Sequence, residues 1–392
     1  MNGLTALLSG CAAAFLSLSI KKLNGQFPHL TGIVFAFIPV VYINSVNAMD
    51  YMWAICFILC SLYFLLSDRM LISGLFLGLA IGTRLTSGAM LLPFGILWLM
   101  RGGRKLELVK FAIMSLAIGG ICFLPVFLKF GVEFFKFAEP QKYPWKTIVR
   151  LATVDVWGLV GVVTLGSLLV FLLFIFPSRD RPIKLPPYLA IWILAISLYL
   201  IAYLRLPYES GYLIPILPFL LIPLNRLLNK KAFLIFSMGI LLSPFLFSLN
   251  FGVLEYKNEL QNYTLDVKFN RWHVYVHPFA GPIIDDHEYR TQELERIRDI
   301  FQFGNTLDKK SLFVMGWEMP KFVILDASEN RNQTTVVFTD FLTQDGIQPF
   351  IDNGYQIYFL PYISETSREL YGVDLQQIGA IPLNDSMILT KP

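Results

Sequence analysis

The chain has 392 residues, of which 55% are hydrophobic and 15% are charged, and its mean hydropathy is +0.58. This composition excludes a disordered chain and an ordinary soluble enzyme, and it is typical of a membrane protein. Residues 1–254 carry 20 of the 32 Lys and Arg but only 8 of the 28 Asp and Glu, so the net charge is +12 there and −8 in residues 255–392.

The change of charge and polarity near residue 254 predicts two domains. We expect a transmembrane domain over residues 1–254 and a soluble extracytoplasmic α/β domain over residues 255–392. All four cysteines fall in apolar runs, so no disulfide framework is indicated. No glycine-rich phosphate loop opens a predicted helix, and nothing indicates a nucleic-acid partner.

About ten apolar runs follow one another in the first domain and predict a mainly α-helical, polytopic bundle. Several runs are shorter than the roughly 20 residues of a straight span, so the two between 71 and 100 can also form a re-entrant pair or meet in a buried turn. The runs are 4–20, 30–46, 52–66, 71–82, 86–100, 111–130, 156–176, 188–204, 212–224 and 232–254.

Alternate connections between these runs hold 13 of the 20 basic residues of the first domain. Because cytoplasmic loops are enriched in Lys and Arg, this face is predicted to be cytoplasmic in a multi-pass plasma membrane (cell inner membrane) protein. The opposite face then holds the Asp50 turn, the turns at 83–85 and 205–211, and the C-terminal domain. It also holds the aromatic and basic connection 131–155, which we expect to anchor helices at the interface or to cap a headgroup site.

The C-terminal domain shows a different pattern. A charged helix is predicted over 285–303, with Ile297, Ile300 and Phe301 on one face. Three short β-rich runs follow at 311–316, 334–339 and 355–360, at a spacing that predicts a small α/β layer. The histidines and aspartates between 273 and 287 are transition-metal ligand types, and they are also ordinary polar loop residues.

Asp50 is the central candidate for a functional residue, because it lies in a short polar interruption between two apolar runs. A carboxylate at the boundary of hydrocarbon and water is costly, so it indicates a functional site. The alternative is a solvated loop acid at a helix end. Glu209 is the other acid in a tight turn predicted on the same face.

Arg84 and Arg205 also lie in turns on this predicted face. A guanidinium at the end of a span can simply reach water. Two of them facing an isolated carboxylate can also hold a phosphate through paired hydrogen bonds.

Three stretches resemble the polytopic glycosyltransferases of the GT-C type, the class that includes protein mannosyltransferases and aminoarabinose transferases. The stretches are Phe37-x-Pro39 through Asp50, Gly74 through Arg84, and Tyr208 through Pro218. The chain begins at what resembles the family's second helix. The first helix and first external loop, which bears the acid regarded as the catalytic base, are therefore not matched.

The resemblance implies transfer of a sugar, with inversion, from a polyprenyl-phosphate carrier to an acceptor at the extracytoplasmic face. Its partners would be a lipid-linked sugar donor and the bilayer, and the sugar and acceptor are not identified. By position, Asp50 matches the acid of the second external loop, which implies an auxiliary catalytic role in orienting the acceptor or a divalent metal. Arg84 and Tyr212 match family positions and, with Arg205 and Glu209, make up the expected substrate-binding set.

A second hypothesis is a non-catalytic membrane protein, either transporter-like or a scaffold whose outer domain binds a partner. A transporter is expected to place charges or broken helices near the bilayer midplane. Here the charges are predicted at the ends of spans, which favours work at one surface.

Overall fold

The computed structural model describes residues 2–47, 49–131, 145–171, 188–207, 209–251, 265–269, 272–307, 309–329 and 335–383. The protein is mainly helical with small sheets. Its contacts divide it into two compact units, Met1–Asp286 and His287–Pro392. The predicted domain boundary at 254/255 stays a prediction, as does the role of the 131–155 connection, whose residues 132–144 lie outside the described ranges.

The first unit contains twelve α-helices within the described ranges. They are α1 (Asn2–Lys22), α2 (Pro28–Ala36), α3 (Pro39–Ser45), α4 (Tyr51–Leu66), α5 (Met70–Thr83), α6 (Leu91–Met100), α7 (Lys105–Phe130), α8 (Trp145–Ala152), α9 (Val154–Val170), α10 (Leu189–Arg205), α11 (Ile216–Leu227) and α12 (Lys230–Leu242). Two 3₁₀ turns, Leu85–Met90 and Ser210–Leu213, precede α6 and α11.

Two described helices, α1 and α7, are long and apolar enough to cross a membrane. The number rises to four if the bent pairs α2 with α3 and α8 with α9 are each one span. Further apolar helices of 10–17 residues include α4, α5, α10 and α11. The protein therefore has the helices of a membrane protein, and the predicted total of about ten spans stays a prediction.

Helix α4 packs between α1 and α5, and most of its side chains are buried. Small residues bring α5 close to α7. A Cβ on Gly78 would lie 2.6 Å from the Ile118 Cβ, so only glycine permits this approach. Ser115 of α7 donates a hydrogen bond of 3.1 Å to the Gly74 carbonyl of α5. Close packing and polar contacts of this kind stabilise helix pairs in a membrane, where hydrophobic burial gives little driving force.

The apolar run 30–46, which was expected to be a single span, is bent, and the run 156–176 contains a backbone break at Gly158. The bend between α8 and α9 lies ahead of this second run. Helices α2 and α3 meet at 70°, where Pro39 starts α3 and has no N–H to continue the first helix. Helices α8 and α9 meet at 66°. Inside α9, Gly158 has a φ of +67°, and the Ser243 hydroxyl serves the broken backbone by accepting from the Gly161 N–H at 2.9 Å and donating to the Trp157 carbonyl.

The last predicted span, 232–254, is wrong in its second half. Helix α12 ends at Leu242, ahead of Pro244, and the chain then forms strand β1. An antiparallel sheet with the order β1-β3-β2 follows. Its strands are β1 (Ser248–Phe251), β2 (Leu265–Phe269) and β3 (Trp272–His277).

The second unit is a small α/β layer. Its parallel sheet has the order β5-β4-β6-β7, with strands β4 (Ser311–Val314), β5 (Val336–Thr339), β6 (Gln356–Phe359) and β7 (Ile381–Pro382). Its helices are α13, which begins in the first unit (Pro282–Asn305), α14 (Met319–Glu329), α15 (Gln344–Asp352) and α16 (Ser364–Tyr371). The three predicted strands are confirmed, β7 was not predicted, and Ile297, Ile300 and Phe301 are buried in the core as expected.

Candidate functional site

The four charged residues predicted for the site all lie at helix ends in the first unit. Asp50 precedes α4, and Arg84 follows α5. Arg205 is the last residue of α10, and Glu209 precedes the 3₁₀ turn Ser210–Leu213. Apolar helices end at such residues because a charge is costly in hydrocarbon and is accommodated where the chain reaches water.

Asp50 and Arg84 form an ion pair, in which the Arg84 Nη1 donates to the Asp50 Oδ1 at 2.8 Å. The Arg84 side chain is 14% exposed and that of Asp50 is 48% exposed, so the guanidinium is the more buried partner. Asp50 lies at the N-cap position of α4, but its side chain makes no capping hydrogen bond. Asp50 is therefore committed to Arg84 and not to its own helix.

Two tyrosine rings also contact the Arg84 guanidinium. The Arg84 Cζ lies 4.1 Å from the centre of the Tyr51 ring and 4.8 Å from that of Tyr212. The two rings meet edge to face, with centres 5.8 Å apart. A guanidinium stacked on aromatic faces stays charged and keeps its N–H donors in a fixed plane.

Glu209 joins the same cluster through Tyr51, whose hydroxyl donates to the Glu209 Oε2 at 2.6 Å. Gly211 makes this arrangement possible. A Cβ on Gly211 would lie 2.9 Å from the Tyr51 Cε2, which is closer than real Cβ contacts. The chain turning into α11 therefore passes directly against the Tyr51 ring.

A small, partly open pocket adjoins the guanidinium. It is largely apolar, and Tyr51, Tyr199, Tyr203 and Tyr212 contribute four rings to its wall. The Tyr203 hydroxyl donates to the Ile148 carbonyl at 2.9 Å, which ties α10 to α8. The remaining lining residues are Arg84, Thr86, Ala202, Leu206, Gly211 and Pro215.

Arg205 is not part of this cluster. It is exposed, and no ion pair of its guanidinium is found within the described part of the chain. Its sequence neighbours Ala202 and Leu206 line the pocket, and Arg205 itself does not. The structure thus brings together four of the five predicted site residues: Asp50, Arg84, Glu209 and Tyr212.

A divalent metal, the one cofactor anticipated, does not fit the cluster. The Asp50 carboxylate is already neutralised by a guanidinium, which would repel a cation bound beside it. Among the residues that the structure describes, no three His, Cys, Asp or Glu side chains lie close enough to hold a metal ion. We therefore assign no step to a metal.

Asp285, one of the possible metal-ligand residues between 273 and 287, lies outside the helices that can span a membrane. Burial raises its pKa, and the Ser248 hydroxyl and His277 oppose this rise. The strand pairing places Ser248 opposite His277.

Sequence reasoning missed the tyrosines other than Tyr212. Tyr51 directly follows Asp50, and Tyr199 and Tyr203 are four residues apart on α10 and therefore share a face. Both signals were present in the sequence. They were indistinguishable from the interfacial aromatic residues that membrane helices carry in any case.

The comparisons with known proteins returned nothing similar. No protein-family model matches the chain, and no curated protein or solved structure matches it significantly.

Proposed function

We propose that this protein is a membrane glycosyltransferase that moves a sugar from a polyprenyl-phosphate carrier to an acceptor at the extracytoplasmic face. The proposal includes about ten spans over residues 1–254 and an extracytoplasmic α/β domain after them. The observation that carries it is the Arg84 guanidinium, held between two tyrosine rings and an aspartate at the edge of an apolar pocket.

The chemistry of such a donor matches these groups. When a sugar leaves its phosphate carrier, negative charge develops on the leaving oxygen, and a fixed cation stabilises it without a proton donor. Arginine has five N–H donors, of which the contact with Asp50 uses one, so a phosphate can bind beside the carboxylate.

The pocket wall suits the rest of the donor. Sugar rings and isoprenoid units both present C–H surfaces, and the four tyrosine rings offer flat apolar faces with polar tips. Asp50 has an auxiliary role: it keeps the Arg84 guanidinium oriented. We do not assign Asp50 the role of general base, because its carboxylate is already paired with Arg84.

The test is a transfer assay on the full chain in lipid nanodiscs, with radiolabelled hexoses and pentoses on polyprenyl phosphate. Release of labelled sugar to water or to an acceptor is measured for the wild type, for Arg84→Met and for Asp50→Asn. Glu107→Gln is the control, since Glu107 pairs with Lys110 at the start of α7. We expect turnover that Arg84→Met abolishes and Asp50→Asn reduces.

Absence of turnover with every donor, from protein that binds lipid-linked sugar, would support the non-catalytic alternative. Equal rates for the wild type and Asp50→Asn would remove Asp50 from the mechanism.

A further inference from the structure

The candidate site contains two carboxylates in different electrostatic surroundings. Asp50 is bonded to a guanidinium at 2.8 Å. Glu209 accepts one hydrogen bond through its Oε2, from the neutral Tyr51 hydroxyl, and no basic residue is paired with it among the described residues. Its Oε1 has no hydrogen-bond partner in the described part of the chain, and the side chain is exposed.

A proton acceptor needs a carboxylate whose charge is available. A neighbouring cation stabilises the ionised form and so weakens a carboxylate as a base. Asp50, paired with Arg84, is therefore a weaker base, whereas no basic residue in the described part of the chain is paired with Glu209.

Glu209 is also held close to the pocket. Its partner Tyr51 lines the pocket, and so do Gly211 and Tyr212, two and three residues further along the chain. The tyrosine hydroxyl fixes one carboxylate oxygen and leaves the other as the acceptor for an incoming O–H or N–H. General bases are commonly oriented by a third group in this manner.

We propose that Glu209 is the proton-accepting residue of the transfer reaction, taking the proton of the acceptor hydroxyl or amine. This inference rests on the proposed function. The acceptor oxygen or nitrogen attacks C1 of the sugar and forms the new glycosidic bond. The bond between C1 and the phosphate oxygen breaks, the electron pair leaves with the polyprenyl phosphate beside Arg84, and the acceptor's proton passes to the Glu209 Oε1.

The experiment compares the wild type with Glu209→Gln in the full chain, with azide as a second nucleophile. Glutamine keeps the side-chain size and can still accept from Tyr51, but it cannot take a proton. We expect transfer to an O–H or N–H acceptor to fall at least about 100-fold, as for loss of a general base, while the donor KM changes little. Azide carries no proton, so Glu209→Gln is expected to form the glycosyl azide at close to the wild-type rate.

Tyr51→Phe is the matched control for orientation. It removes the hydrogen bond to Glu209 but keeps both the carboxylate and the ring under Arg84, so we expect a smaller loss than in Glu209→Gln. Glu107→Gln controls for loss of an exposed carboxylate elsewhere.

Three results would overturn the inference while leaving the proposed function standing: normal acceptor transfer by Glu209→Gln, no glycosyl azide from Glu209→Gln, or an equal loss in Tyr51→Phe. A wild type that turns over no lipid-linked sugar overturns the proposed function itself, and the inference with it.

Discussion

Asp50 and Arg84 are 34 positions apart in the sequence, yet their side chains are 2.8 Å apart at the ends of two neighbouring helices. The pair is asymmetric, because Arg84 is enclosed by Tyr51 and Tyr212 while nearly half of the Asp50 side chain reaches solvent. This asymmetry makes Arg84 the enclosed partner of the pair and Asp50 the partner that faces solvent.

Arg84→Lys tests whether the planar, stacked guanidinium is what matters. Lysine keeps the charge but loses the fork of donors and the stacking on both rings. We expect the affinity for a polyprenyl-phosphate sugar to fall at least about 10-fold, as measured by equilibrium binding in nanodiscs. Arg104 is exposed and directly precedes helix α7, and Arg104→Lys is the control variant. Unchanged binding by Arg84→Lys would show that Arg84 acts only through its positive charge.

Gly211→Ala tests the close approach at Tyr51. The added Cβ would lie 2.9 Å from the Tyr51 Cε2, so the ring or the 3₁₀ turn must shift. Overpacking of this kind costs about 1–3 kcal/mol, and it should also weaken donor binding because Tyr51 supports both Arg84 and Glu209. Thermal unfolding in detergent, followed by tryptophan fluorescence, measures the loss of stability. Gly10→Ala is the control, since no atom lies within 4 Å of its Cβ position, and it should not lower the Tm.

Gly78→Ala and Gly120→Ala are expected to differ in their effect on the Tm. At Gly78 in α5, the Cβ would lie 2.6 Å from the Ile118 Cβ and 2.9 Å from the Ser115 carbonyl oxygen, so α5 and α7 must separate. At Gly120 in α7 the Cβ has open space, and alanine gains helix propensity of up to about 1 kcal/mol. The Tm should fall for the first variant and stay level or rise for the second. A stable Gly78→Ala protein would contradict the tight packing of these helices.

Asp285→Asn gives a pH-dependent prediction. Burial raises the pKa of Asp285 above its unfolded value, so the folded state favours the protonated form. Its contribution to stability is then fully present below the unfolded pKa and is lost as the pH rises through the folded pKa. Asparagine cannot ionise, so the variant does not lose this stability as the pH rises. We expect Asp285→Asn to raise the Tm at pH 7.5, with a difference that shrinks as the pH approaches about 4, near the unfolded value of an aspartate. A difference that grows towards low pH would show that the carboxylate stabilises the fold.

Much of the element order was predictable from the sequence. Each apolar run of the first unit contains a helix, because a long uninterrupted apolar run indicates a membrane helix. Strands β4, β5 and β6 lie inside the predicted β-rich runs, because short runs of β-branched and aromatic residues indicate strands. The bends were not predictable from hydropathy. Pro39 lies in one uninterrupted apolar run and Gly158 in another, and the backbone breaks there are compensated by distant groups such as Ser243.

The sequence by itself determined the class of protein and the placement of charge, since apolar runs end where Asp50, Arg84, Arg205 and Glu209 bring the chain back to water. Only the tertiary structure decided which of these residues contact one another. Asp50 pairs with Arg84, Glu209 binds Tyr51 across 158 positions, and Arg205 joins neither. Such pairings depend on which helix ends are neighbours and how closely Gly211 approaches the Tyr51 ring, and these distances arise from packing between segments that no local periodicity encodes.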